Sequence, residues 1–161
     1  MDFATVEGNQ KIVPSLLFVN EKQDDVKKAL KHYQSIFPNS SVILEAPYPE
    51  NSEKLLFAQF KLNNSTFNAM SSTIQHDFDF TPGVSLVVQC ETQTEIDQYW
   101  EKLGENGKYN RCGWLDDQFG VSWQIVPTVL SSLMSNPTKA QAVTQAFMQM
   151  TKFDIETLMN A

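Results

Sequence analysis

The chain has 161 residues, of which 42% are apolar and 19% charged, and a formal net charge of −7. A chain of that length buries roughly 70% of its unfolded surface, so folding requires neither a disulfide nor a structural metal. The acidic balance argues against a nucleic-acid partner, which needs basic patches that displace counterions, and no apolar run is long enough to span a bilayer.

Residues 1–11 read as an N-terminal extension, and residues 1–7 lack the basic and apolar regions of a secretion signal. A cytoplasmic location is expected. The first strand falls over residues 12–19, where Pro14 marks a strand start or an edge. The period then changes to that of a helix. Val26, Ala29, Leu30, Tyr33, Ile36 and Phe37 recur at helical spacing until Pro38 and Asn39 stop the pattern. Three strands follow over 41–46, 55–62 and 66–70, separated by turns at 47–49 and 63–65.

After a polar and aromatic connection the pattern restarts with an apolar strand over 83–90. Sliding the chain on itself by 70 residues sets Ser15-Leu16 on Ser85-Leu86, Val26 on Ile96, Leu30 on Trp100 and Tyr33 on Leu103. Thr92 and Glu95 form a capping box for the second helix, whose stripe is Ile96, Tyr99, Trp100 and Leu103 before a stop at Gly104 and Gly107. Strands over 109–115 and 121–126 complete the second copy.

The expected fold class is α+β: two βαβββ modules with mixed, mainly antiparallel curved sheets, followed by a helical tail. The modules cover 12–72 and 83–127, the connection 73–82 and the tail 128–161. In the tail, Asn136-Pro137 starts one helix and Asp154 another, with Phe153 and Leu158 as a hydrophobic staple. This apolar tail must cover its own sheet or a partner subunit, and a homodimer is expected. Helices on one face of each sheet would leave the other faces to line a ligand-sized cavity.

Three stretches carry a family resemblance: Pro14 to Phe18, Tyr33 to Ser40, and the block Cys112-Gly113-Trp114-Leu115-Asp116-Asp117-Gln118-Phe119-Gly120-Val121-Ser122-Trp123-Gln124-Ile125-Val126-Pro127. With the segment 146–155, they resemble the PhnB-like branch of the glyoxalase/bleomycin-resistance (vicinal oxygen chelate) superfamily, whose members are commonly labelled 3-demethylubiquinone-9 3-methyltransferase. The resemblance implies the paired-module fold. It also implies a divalent ion held by His and Glu from the first and last strands of each module. In this chain Ser15 or a neighbour and Ser85 stand at the histidine positions, with Asn68 or Met70 and Gln124 at the glutamate positions. Neutral amides and hydroxyls supply neither the charge nor the basicity such an ion needs, so no metal and no other cofactor is expected. The six glycines form no cluster that would admit S-adenosylmethionine, which disfavours methyl transfer.

The remaining candidates are cavity contacts for an unidentified small molecule. Trp114 and Trp123 either stack a planar ligand or fill the core, and Gln124, Ser85 and Ser15 offer polar groups to the cavity. His32 reads as a surface residue of the first helix, as do Lys27, Lys28 and Lys31. His76 either serves as a base over the cavity or stands in an exposed loop, with Asp77 and Asp79 beside it. Asp116 and Asp117 read as turn residues, and Cys90 and Cys112 as separate small hydrophobes rather than a disulfide. Alternative readings are a dimeric scaffold whose cleft is filled by its own side chains, and a metal-dependent lyase or dioxygenase.

Overall fold

The computed structural model describes residues 10–161; residues 1–9 of the expected N-terminal extension lie outside the described residues. The chain divides into two units, Met1–Asp79 and Phe80–Ala161.

In the first unit, β1 (Ser15–Phe18) leads through a 3-10 turn (Asn20–Asp25) into α1 (Val26–Ile36), then β2 (Ser41–Tyr48), β3 (Asn51–Leu62) and β4 (Ser65–Ser71). The sheet order is β1-β4-β3-β2, with β1 and β4 parallel and the other pairs antiparallel. The helical stripe of α1 is buried at Val26, Ala29, Leu30, Tyr33 and Ile36, and α1 packs on β3 and β4. Because side chains alternate across a strand, Phe18, Ala58, Phe60 and Ala69 share the helix-covered face. All four are buried, each large one contributing about 1.5–3 kcal/mol.

One sequence expectation is corrected here. Pro47, placed in a turn, continues β2, with pairing irregularities on either side of it. The strand lies at the sheet edge, where a missing N–H breaks no ladder.

The second unit repeats the plan: β5 (Leu86–Cys90), α2 (Gln93–Gly104), β6 (Lys108–Tyr109), β7 (Trp114–Asp116) and β8 (Ser122–Pro127), in the order β5-β8-β7-β6 with β5 and β8 parallel. The capping box forms as expected: Glu95 N donates to Thr92 Oγ1 and Thr92 N to Glu95 Oε2. Gly104 closes α2 where the ring of Tyr109, stacked on Trp100, leaves no room for a Cβ.

The strand expected over 109–115 is broken into β6 and β7. Cys112 and Gly113 take left-handed backbone angles, and their N–H groups donate to Met150 O and Thr151 O of the tail. The tail consists of α3 (Val129–Met134), α4 (Ala140–Met148) and α5 (Ile155–Met159). The second tail helix starts at Ala140 rather than at Pro137; Asn136 caps the preceding turn by accepting from Thr138 N.

Between the choices left open for the tail, the structure shows it held by its own unit. Gln93 of α2 works as a two-sided clamp, Nε2 donating to Phe153 O and Oε1 accepting from Ile155 N. Lys152 pairs with Asp97 beside it, and Phe153 and Leu158 are buried.

Candidate functional site

Each sheet has a second face, opposite its helix. On the first sheet that face carries Ser15, Leu17, Phe57, Gln59, Asn68 and Met70. Ser15, Asn68 and Gln59 lie opposite one another on β1, β4 and β3, forming one polar row. Gln59 Nε2 donates to Asn68 Oδ1 at 3.1 Å. Gln59 is only 3% exposed, and its Oε1 has no hydrogen-bond partner among the described residues. Leaving a buried acceptor unsatisfied costs about 1–3 kcal/mol, so this atom stands out on energetic grounds.

On the second sheet the open face carries Trp114, Asp116, Ser122, Gln124, Val126, Val87 and Gln89. Gln124 Nε2 donates to Ser85 Oγ at 2.8 Å, joining two of the residues singled out from sequence. Asp116 accepts from Ser122 Oγ at 2.6 Å and from Asn110 Nδ2 at 3.0 Å. Beside Gln124, between β5, β8 and α3, lies a cavity of about 390 Å³. Its lining is mainly apolar, from Val87, Val126, Pro127, Leu130 and Met134, with Gln89, Thr128 and Ser131 as the polar lining residues. The size and the mixture are those of a small-molecule pocket.

The two tryptophans part company. Trp114, half-buried and directly opposite Gln124, is on the open face. Trp123 is one residue along β8, so it turns to the face under α2, where it is 3% exposed and donates Nε1 to Asp117 Oδ2 at 2.9 Å. That corrects its placement as a cavity contact: it fills the core. Asp117 is more than a turn residue. Its Oδ1 accepts from Phe119 N and Val121 N, and the buried carboxylate knots the β7–β8 turn.

The other candidates are also placed. His32 is half-buried rather than solvated, its ring centroid 5.9 Å from that of Tyr33. His76 is half-buried rather than an exposed imidazole, and it faces a hydroxyl rather than an acid: Nε2 is 2.8 Å from Ser72 Oγ and the ring lies on Phe78. Asp79 pairs with Lys22. Cys90 and Cys112 are not bonded to each other. Burial, with Glu95 nearby, pushes the Cys90 thiol up to about 12, far from a nucleophile's range.

The shared register of the repeat settles which first-unit residue corresponds to Gln124. Leu17 opposes Met70 as Val87 opposes Gln124, so Met70 is the counterpart and Asn68 matches Ser122. The four positions expected to hold a divalent ion are therefore Ser15, Met70, Ser85 and Gln124. Two hydroxyls, a thioether and an amide, none of them charged, do not fit such an ion. Gln59 escaped the sequence reading, although an amide within the apolar run 55–60 was the available signal.

Residues 10–126 match the family model described as 3-demethylubiquinone-9 3-methyltransferase. The chain belongs to this family. The PhnB protein of Bacillus cereus, described by the same activity, is 34% identical, with a TM-score of 0.67 over 74% of this chain and 100% of its own. Two more distant structures share the fold: PA1353 from Pseudomonas aeruginosa (19% identity, TM-score 0.59, 74% of this chain and 98% of that one) and the fosfomycin resistance protein FosX from Listeria monocytogenes (14%, 0.53, 80% and 97%). No curated protein matches. This PhnB-like chain thus has the glyoxalase/bleomycin-resistance fold of the vicinal oxygen chelate superfamily, as the repeat and the resemblance implied.

Proposed function

We propose that this PhnB-like protein binds a small, mainly apolar molecule on the open face of its second sheet, without a metal ion. The cavity of about 390 Å³ against the second sheet carries the reading. Apolar walls supply affinity through buried area, and Gln89, Thr128 and Ser131, with the Gln124–Ser85 pair one step along the strands, supply orientation. Ser85, Gln124 and Trp114 contribute contacts to that face; Ser15 lies on the first sheet, and Trp123 lies in the core.

Methyl transfer from S-adenosylmethionine is not part of the proposal. Each sheet has a single parallel pair, and β1 leads into Asn20–Asp25 with no glycine, so no backbone cradle for that cofactor follows the first strand. We further read the protein as a cytoplasmic homodimer. Among the described residues no helix is long and apolar enough to cross a membrane, while Val84, Met148 and Met159 expose apolar surface that association would cover.

A thermal-shift screen of apolar and aromatic metabolites tests the binding reading. A ligand at a hundred times its Kd adds about 2.7 kcal/mol, or roughly 5–10 °C for a chain of this size. Val87→Trp places an indole at a half-exposed position of the cavity wall and is expected to abolish the shift while preserving the fold. A broad library that shifts nothing, or hits that bind Val87→Trp equally well, would refute the reading.

A further inference from the structure

We infer that Ser85 and Gln124 together hold a neutral carbonyl-type oxygen, so that the ligand of the second unit's cavity is a planar apolar molecule carrying a ketone, ester or amide group. The inference rests on the small-molecule reading of that cavity and names the class of ligand.

The placement follows from register. Val87 of β5, Gln124 of β8 and Trp114 of β7 are cross-strand partners and form one row on the open face. Val87 also lines the cavity, so Gln124 stands one strand spacing, about 4.8 Å, from that wall and Trp114 one spacing further. A flat molecule with its apolar end in the cavity therefore covers an aliphatic side chain, an amide and an indole in turn. Trp114 is half-buried and offers a ring against which a planar group packs.

Covering the row takes the Gln124 amide out of water, which is costly unless the ligand pairs with it. The spare hydrogens decide the pairing group. Gln124 Nε2 donates one hydrogen to Ser85 Oγ at 2.8 Å, which leaves the second amide hydrogen and the Ser85 hydroxyl hydrogen to donate elsewhere. Turning the amide over, so that Ser85 donates to Oε1, again leaves a pair of hydrogens, both on Nε2. A carbonyl oxygen has a lone pair for each of them, whereas a ligand donor would satisfy Oε1 and strand both. An anion would meet Asp116, two residues beyond Trp114 on the same face, whose carboxylate already accepts from Ser122 Oγ and Asn110 Nδ2 and repels a second negative charge. The residues lining the cavity are all uncharged, which suits a neutral ligand.

The test uses planar probes of one shape: acetophenone, α-methylstyrene, in which a methylene replaces the carbonyl oxygen, and benzoate. Each is titrated calorimetrically into the wild-type protein and the Ser85→Ala, Gln124→Met double variant. Comparing proteins for each probe cancels the probes' different solubilities in water. The double variant is expected to bind acetophenone about tenfold more weakly and α-methylstyrene at least as tightly as the wild type does. The wild type is expected to bind benzoate at least about tenfold more weakly than acetophenone. If the double variant no longer melts cooperatively, Ser85→Ala alone carries the comparison, with an expected loss of about threefold for acetophenone only. Equal changes for the two neutral probes, unaltered acetophenone binding, or benzoate bound as tightly as acetophenone overturns the inference and leaves small-molecule binding standing. Failure of both neutral probes to bind the wild type counts against the small-molecule reading itself, and the inference falls with it.

Discussion

Asp117 offers the sharpest test of how the second unit is held together. Its buried carboxylate accepts from Phe119 N at 2.9 Å, Val121 N at 3.0 Å and Trp123 Nε1 at 2.9 Å. Hydrogen bonds to a charged group contribute about 1.5–3 kcal/mol each, and removing the carboxylate strands three donors, some of which reach water after relaxation. Asp117→Ala is therefore expected to cost about 3–5 kcal/mol. Asp117→Asn keeps an oxygen for the two backbone donors but loses charge and points an NH2 at the indole N–H, for about 2–4 kcal/mol. Trp123→Phe removes the third donor and some packing. The double-mutant cycle with Asp117→Ala cancels the packing loss and isolates a coupling of about 1.5–3 kcal/mol. Urea unfolding followed by tryptophan fluorescence suits the measurement, because Trp100, Trp114 and Trp123 all lie in the second unit and two remain in the Phe variant. A coupling below about 0.5 kcal/mol, or an Asn variant as stable as the wild type, would refute the view that this carboxylate anchors the turn.

Two further expectations concern the tail and the assembly. A hydrogen bond from Lys152, then one from Gln93, holds the Asp97 carboxyl below its ordinary range, and bonds from Thr157 do the same for Asp154. Groups with depressed values stabilise the fold above the unfolded carboxylate range, about pH 4, and that contribution disappears as pH falls through their folded values. Hydrogen exchange should therefore show residues 150–158 losing protection before β8 as pH drops below about 4; simultaneous loss would contradict the tail's dependence on these exposed pairs. For the assembly, sedimentation at micromolar concentration is expected to give twice the 18.3 kDa chain mass, and a monomer would remove the dimer from the functional reading.

The residues that sequence alone could place were those governed by local pattern. The stripe from Val26 to Ile36, the Thr92–Glu95 box, the Asp154 cap and the offset linking Ser15 to Ser85 follow from period, capping chemistry and repetition, all of which act over a few residues. That is why the paired βαβββ plan was readable before any coordinates.

Tertiary structure decided the questions that turn on one residue of register. A strand reverses its side chains at each step, so Trp114 and Gln124 reach the open face while Trp123, adjacent in sequence, is committed to the core. The same step makes Met70 rather than Asn68 the counterpart of Gln124. The break at Cys112 and Gly113 depends on carbonyls nearly forty residues away in the tail, and the significance of Gln59 depends on which partners two neighbouring strands bring to it. Such facts are set by long-range pairing, which the local sequence pattern does not contain.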